Sequence, residues 1–240
     1  MGQEPIKENF GWRCLQANLA RSRPATGELR KLRSGLYDIY LIQEPYTVDG
    51  KLAGFPMSWR VIHTLGGKSA ILVSNTALDV VELVKTTNIT AVQISDRTRS
   101  VTVISIYFPP SSDKNELVAS LSATLDILKS SCVLIGGDIN MRHPLWGPVR
   151  KDHRSNDEGV PFVDFTIKHR LNVWNNPYSD PTFETRQGKA WIDVTVASEA
   201  LDYAAHTWQV NTGTLSDHNY LEYNLGQENA FRGSTSISSV

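Results

Sequence analysis

Gly136-Gly137-Asp138-Ile139-Asn140 follows directly on the apolar run Cys132–Ile135, so a carboxylate and an amide are delivered where a strand gives way to a loop. Asp138 and Asn140 can there position a water or ligate a metal. The same residue types also build turns for purely conformational reasons, and a turn alone accounts for this stretch. Leu215-Ser216-Asp217-His218-Asn219 sets an acid beside an imidazole just ahead of the run Tyr220–Leu225. An imidazole of near-neutral pKa serves as general acid or base, or donates to a phosphoryl oxygen, once a carboxylate fixes its tautomer. Neighbours on an extended chain point to opposite faces, so His218 needs a carboxylate other than Asp217, and Asp193 in Trp191-Ile192-Asp193-Val194 is the candidate.

Glu44, at the end of the apolar run before Pro45, suits a hard divalent cation that takes one or two protein oxygens and keeps its waters. A solvent-facing glutamate before a proline turn is the plainer alternative. Asn18 closes Gln16-Ala17-Asn18 and Tyr107 leads into Phe108-Pro109-Pro110 in the same way. The shared placement separates these groups from ordinary turns: each sits at the end of an otherwise apolar strand, and each is of a type able to bind metal or phosphate. Phosphodiester hydrolysis needs charge neutralisation, an oriented water and a donor for the phosphoryl or leaving oxygen, and this set supplies all three.

The elements that must position them are mostly strands. Apolar and β-branched runs predict strands over Arg13–Leu19, Asp38–Gln43, Arg60–Thr64, Ala70–Ser74, Ala91–Ser95, Val101–Tyr107, Cys132–Gly136, Trp191–Ala197 and Tyr220–Leu225. Both faces of Val101–Tyr107 are largely apolar, which places it between two layers. Leu117, Leu121, Leu125 and Leu128 give helical periodicity to Asn115–Lys129, and helices also fit Val160–Arg170 and Thr26–Leu36. Many strands with few helices predict an α/β sandwich of two packed sheets.

A length of 240 residues, 40% of them hydrophobic, suffices for one large domain, here 11–225, with polar tails at 1–10 and 226–240. The two cysteines, Cys14 and Cys132, fall in apolar strands and cannot make a secreted disulfide framework, so a reducing compartment is expected. No stretch is apolar for long enough to span a bilayer, and a membrane partner is not expected. A net charge of -1 argues against nucleic-acid binding by bulk attraction. Any such binding falls to local patches, Arg21, Arg23, Arg30, Lys31 and Arg33 or Arg142, Arg150, Lys151 and Arg154, unless these are only solvated faces.

In order, Gln16-Ala17-Asn18, Gln43-Glu44-Pro45, Tyr107-Phe108-Pro109-Pro110, Gly137-Asp138-Ile139-Asn140, Pro181-Thr182-Phe183, Trp191-Ile192-Asp193 and Ser216-Asp217-His218 resemble the blocks of the endonuclease/exonuclease/phosphatase superfamily, which includes apurinic/apyrimidinic endonucleases and type I deoxyribonucleases. Within it, Gln43-Glu44-Pro45, the Gly136–Asn140 block followed by His143-Pro144-Leu145-Trp146-Gly147, and Pro181-Thr182-Phe183 resemble the endonuclease domain of site-specific non-LTR retrotransposons, above all those inserting into ribosomal RNA genes. The resemblance implies a DNase I-like four-layer α/β sandwich of two mainly antiparallel sheets flanked by helices. It implies a Mg2+-dependent endonuclease, with Mn2+ able to substitute, that nicks one strand and leaves a 3′-hydroxyl as primer. It further implies a double-stranded DNA target, a reverse transcriptase domain in the parent polyprotein, a monomeric isolated domain and a place of work in the nucleus. The alternatives are a related phosphoesterase acting on a lipid phosphate or RNA, and a non-catalytic DNA-binding module.

By the same resemblance Glu44, helped by Asn18 and Asp217, holds the metal. Asp138, assisted by Asn140, orients or deprotonates the attacking water; Tyr107 and His218 contact the scissile phosphate, and Asp193 supports His218. Many superfamily members carry an acid where this chain has Ala20, which leaves the number of metals open. Thr182–Asp193 reads as a hairpin, with strands Thr182–Thr185 and Lys189–Asp193 around Arg186-Gln187-Gly188. In relatives such a hairpin enters the minor groove, where an Arg at the tip suits the negative potential; Thr182, Arg186, Gln187 and Lys189 are the expected DNA contacts, with His143 nearby. An ordinary exposed tip is the plain alternative. Trp146 is expected to pack under its loop.

Overall fold

Side chains alternate along a strand, so a strand with two apolar faces needs a layer on each side. The computed structural model, which describes residues 11–33, 35–148 and 156–226, meets that need with four layers. Its strands are β1 (Trp12–Asn18), β2 (Ile39–Gln43), β3 (Thr47–Val48), β4 (Lys51–Leu52), β5 (Arg60–His63), β6 (Ser69–Val73), β7 (Asp79–Lys85), β8 (Ile89–Ser95), β9 (Ser100–Tyr107), β10 (Val133–Asp138), β11 (Leu171–Val173), β12 (Phe183–Thr185), β13 (Gly188–Ala190), β14 (Asp193–Ser198), β15 (Gln209–Asn211) and β16 (Tyr220–Leu225). The helices are α1 (Arg23–Arg33), α2 (Lys114–Leu128) and α3 (Val160–Lys168).

One six-stranded sheet runs β15-β16-β1-β2-β6-β5 and the other β11-β14-β10-β9-β8-β7. Only β1/β2 in the first and β9/β10 in the second pair in parallel. Leu15, Ala17, Tyr40, Ile42 and Leu72 face outward from the first sheet onto Ala25 and Leu29 of α1. Ile104, Ile106, Ile135, Val194 and Val196 face outward from the second onto Leu121 and Leu125 of α2 and Phe162 and Phe165 of α3. The alternate residues, among them Cys14, Ile39, Leu41, Ile71, Val92, Ile94, Val103 and Leu134, fill the space between the sheets. This is the expected DNase I-like sandwich.

Several boundaries move. Gly136, Gly137 and Asp138 lie within β10 and not in a turn. An added Cβ at Gly137 would stand 1.9 Å from the Ile106 carbonyl oxygen, so glycine here serves close strand approach. Helix α1 starts at Arg23, ahead of Thr26, because the Ser22 hydroxyl accepts from the Ala25 amide and Pro24 follows as a first-turn residue. Helix α2 is held at its start by the Asp113 carboxylate, which accepts from the amides of Asn115 and Glu116. Strand β7 was not expected, since as an edge strand it is largely exposed and carries charge along its length. Cys14 is buried and Cys132, half-buried, sits just ahead of β10; both are free thiols. The expected tail 1–10 and, after Gly226, the rest of the expected tail 226–240, with Arg150, Lys151 and Arg154, lie outside the described residues.

Candidate active site

The parallel and antiparallel registers of the second sheet bring Tyr107, Asp138 and Asp193 side by side, since Asp138 pairs with Tyr107 on β9 and with Asp193 on β14. The first sheet supplies Asn18 at the end of β1 and Glu44 just beyond β2. Asn18 Nδ2 donates to Asp138 Oδ2 at 2.9 Å, and the Asn140 amide donates to Asp138 Oδ1 at 3.0 Å. The Asn140 side chain is itself tied to the Phe108 carbonyl at 3.1 Å. His218 Nδ1 lies 2.9 Å from Asp193 Oδ2, and its Nε2 lies 3.8 Å from Asp138 Oδ2, too far for a hydrogen bond between them. The expected partnership of His218 with Asp193 rather than Asp217 is the one found. Asp217 is exposed and outside this cluster.

Asp138, Asp193 and His218 are all buried, with side-chain exposures of 2%, 3% and 7%. Burial, reinforced by the charge of Asp193, raises the Asp138 carboxyl well above the usual carboxylate range, against the opposing pull of His218 and of the Asn140 and Asn18 hydrogen bonds. At His218 burial opposes the cationic form, yet the charge and hydrogen bond of Asp193, with Asp138 and Asp217, outweigh it and raise the imidazole to about 9. The raised imidazole pKa favours the protonated form of His218, with Nε2 on the side of Asp138. Among the described residues these three are also the group with metal-ligand spacing, their ligand atoms lying within 4.8 Å of one another. A protonated imidazole has no lone pair for a metal, so a cation bound there would compete with a proton at His218.

Glu44 sits at φ 41, a left-handed conformation unusual for a side-chain-bearing residue, and its carboxylate has 14% exposure at the mouth of the site. Its partners are the Arg21 guanidinium, whose Nε donates at 3.0 Å, and the Tyr107 hydroxyl. Burial, followed by the charges of Glu44 and Asp138, pushes the Tyr107 phenol upward, so Tyr107 acts as a donor and not as an anion. The Lys68 ammonium lies 5.7 Å from the Tyr107 ring centroid. An oxygen ligand at the mouth that already attracts a cationic side chain fits a hard divalent ion. Arg21 and Lys68 were not singled out individually, Arg21 being legible only as one member of a basic run.

The hairpin is shorter than expected. Pairing of Thr185 with Gly188 leaves Arg186-Gln187 as a two-residue turn, and Asp193 belongs to β14 of the second sheet. Arg186, Gln187 and Lys189 are exposed, Lys189 pairing with Glu184 at 2.8 Å. Thr182 is fully buried and touches no surface: its hydroxyl accepts from the amides of Ile192 and Asp193, a structural task that removes it from the expected DNA contacts. His143 is half-buried and accepts at Nδ1 from the Leu145 amide. Trp146 packs at 0% exposure with its indole donating to the Met141 carbonyl, as expected. The hairpin's base is strapped to the histidine loop. Glu184 donates to the Asp217 carbonyl, Asn219 to the Thr182 carbonyl, and the Phe183 ring meets the imidazole edge to face at 4.9 Å.

Two helix-flanked sheets with a buried Asp–His–Asp cluster at their strand ends define the DNase I-like endonuclease/exonuclease/phosphatase superfamily, a class of phosphoesterases. The endonuclease-reverse transcriptase family matches residues 101–222, and the chain belongs to that family. Among solved structures it is similar to the endonuclease domain of TRAS1, a telomere-specific non-LTR retrotransposon, at 29% identity over 90% of this chain and 99% of that one, with a TM-score of 0.76. The fold is also shared with the AP endonuclease LMAP from Leishmania major, at 11% identity over 92% of this chain and 90% of that one and a TM-score of 0.69. The 3′ phosphatase NExo from Neisseria shares it too, at 16% identity over 89% and 98% and a TM-score of 0.63. No curated protein matches the chain in sequence.

Proposed function

We propose that this chain is a Mg2+-dependent DNA endonuclease that nicks one strand of a retrotransposon target and leaves a 3′-hydroxyl to prime reverse transcription. The carrying observation is the buried Asp138–His218–Asp193 cluster, which sets an acceptor and a proton donor 3.8 Å apart. Asp138, oriented by Asn18 and the Asn140 amide, takes the proton of the attacking water as its oxygen bonds to phosphorus; the P–O3′ bond breaks, and the 3′ oxygen takes a proton from solvent to leave as the hydroxyl. His218, held by Asp193 in one orientation, donates from Nε2 to a phosphoryl oxygen, and Tyr107 donates from the opposite side. Glu44, with Asn18 near it, would hold the metal, and Mn2+ would substitute for Mg2+; the exposed Asp217 lies outside the cluster and is left out of the ligand set. A divalent ion held by Glu44 would supply charge neutralisation for the phosphate and leaving oxygen.

The exposed Arg186, Gln187 and Lys189 would meet the minor groove of duplex DNA beside the cut, with His143 flanking. The endonuclease-reverse transcriptase family and the likeness to a non-LTR retrotransposon endonuclease support a reverse transcriptase domain elsewhere in a parent polyprotein; the isolated domain would be a monomer and would act in the nucleus. Supercoiled plasmid incubated with the domain and Mg2+ should convert to nicked circles whose ends a DNA polymerase extends, and EDTA should stop it. Intact plasmid alongside hydrolysis of a lipid phosphate or RNA would sink this reading; nicking unaffected by His218→Ala would mark the activity as a contaminant.

A further inference from the structure

The inward faces of the strands change character as they approach the site. On β1 the inward residues are Cys14, Gln16 and Asn18; on β9 they are Val103, Ser105 and Tyr107; on β10, Leu134, Gly136 and Asp138; on β14, Ala197, Thr195 and Asp193. One pleat repeat, about 7 Å, below each site residue therefore lies Gln16, Ser105, Gly136 or Thr195. Ser105, Gly136 and Thr195 are mutually in register across the second sheet. They are small, and the two large amides of the first sheet lie over them.

Gln16, 1% exposed, crosses the gap with both ends of its amide: Nε2 donates to the Val194 carbonyl at 3.3 Å, and Oε1 accepts from the Thr195 hydroxyl at 2.9 Å. Trp208 donates to that hydroxyl in turn, at 3.0 Å. An added Cβ at Gly136 would fall 2.3 Å from Gln16 Oε1, so the glycine two places before Asp138 is shaped by this glutamine. Gln43 makes a parallel staple, its Nε2 donating to Ser105 Oγ at 2.9 Å, and Ser69 and Thr90 form a third at 2.9 Å. Stability alone does not call for these groups, since buried polar side chains gain little over well-packed apolar ones and the far end of the same interface is apolar. What directed bonds supply is one sheet-to-sheet spacing and one register.

We infer that Gln16 is a positioning residue that fixes the first sheet's Asn18 and Glu44 against Tyr107, Asp138 and Asp193 of the second. This inference rests on the endonuclease reading above. A misplacement of about 1 Å in such a centre can cost on the order of a hundredfold in rate.

The test is steady-state nicking of a duplex target by wild type, Gln16→Met, Thr195→Val and Ile94→Ala, with the melting temperature of each. Gln16→Met, which keeps length and loses both bonds, should lower kcat at least tenfold with KM for DNA within twofold of wild type. Thr195→Val, which removes only the hydroxyl, should lower kcat by less. Ile94→Ala, a cavity among the apolar inter-sheet residues, should melt at a lower temperature and keep its kcat below that temperature. An active wild type with Gln16→Met within twofold of its kcat overturns the inference, as does Ile94→Ala losing as much kcat as Gln16→Met. Should Gln16→Met not fold, Thr195→Val at wild-type kcat overturns it. If wild type itself does not nick, the endonuclease reading falls first and this inference with it.

Discussion

At the far end of the inter-sheet space Cys14, Ile39, Val73, Val103 and Leu134 interdigitate as apolar side chains, while at the near end Asn18, Gln16, Gln43 and Ser69 each bond to a group on the opposite sheet. The same strands pass through both ends. At the apolar end the interaction is non-directional and asks only that volume be filled. At the polar end each contact has a donor, an acceptor and an angle, so it is satisfied at one spacing only. Stability and geometry are thus served by different stretches of the same strands, a few residues apart.

Substitutions should separate the two ends sharply. The largest effect is expected at the cluster: Asp138→Asn and His218→Ala should each lower kcat on the order of 10²- to 10⁴-fold, with DNA affinity measured without metal little changed. Glu44→Ala should match them at ordinary Mg2+ concentrations. Next comes Ile94→Ala at the apolar end, expected to cost about 2–5 kcal/mol in urea unfolding while the folded fraction cleaves normally. If it slowed cleavage as much as it weakened folding, the division between the ends would fail.

The pH profile sharpens the comparison further. Asp138 must be ionised to accept a proton, and its raised pKa moves the acid limb up from the usual carboxylate range; His218 must be protonated to donate, and it does so below about 9. The rate should therefore rise towards neutrality and fall through about pH 9. Asp193→Asn removes the main charge that raises the imidazole, so the alkaline limb should move to lower pH; an unmoved limb would assign it to another group. The smallest effect is expected at Arg186, exposed at the hairpin tip. Arg186→Ala should leave the melting temperature unchanged and alter where an end-labelled duplex is cut, and identical cleavage patterns would remove it from recognition.

Much of this was legible in the sequence, for identifiable reasons. The strands that carry the site are dense in β-branched and apolar residues, and their ends could be read to within a residue or two. The pairing of His218 with Asp193 followed from the alternation of side chains, which set Asp217 aside. What escaped was long-range. Asn18 and Asp138 are 120 positions apart, and Gln16 and Thr195 are 179 apart, so nothing local marks either contact. A turn is a full alternative for the block that begins at Gly136, and the strand reads only as far as that residue, because glycine's small size and its conformational freedom leave the same letter in the sequence. Thr182 looked like a groove contact because it adjoins the hairpin, whereas its hydroxyl is consumed by two backbone amides.

The strap between hairpin and histidine loop is a short one. Glu184 of β12 and Thr182 just ahead of it hold Asp217 and Asn219 through backbone hydrogen bonds on either side of His218, and the Phe183 ring rests against the imidazole itself. The exposed turn at Arg186-Gln187 and the buried imidazole are thus joined by a path only a few residues long, made of two backbone hydrogen bonds and one ring contact.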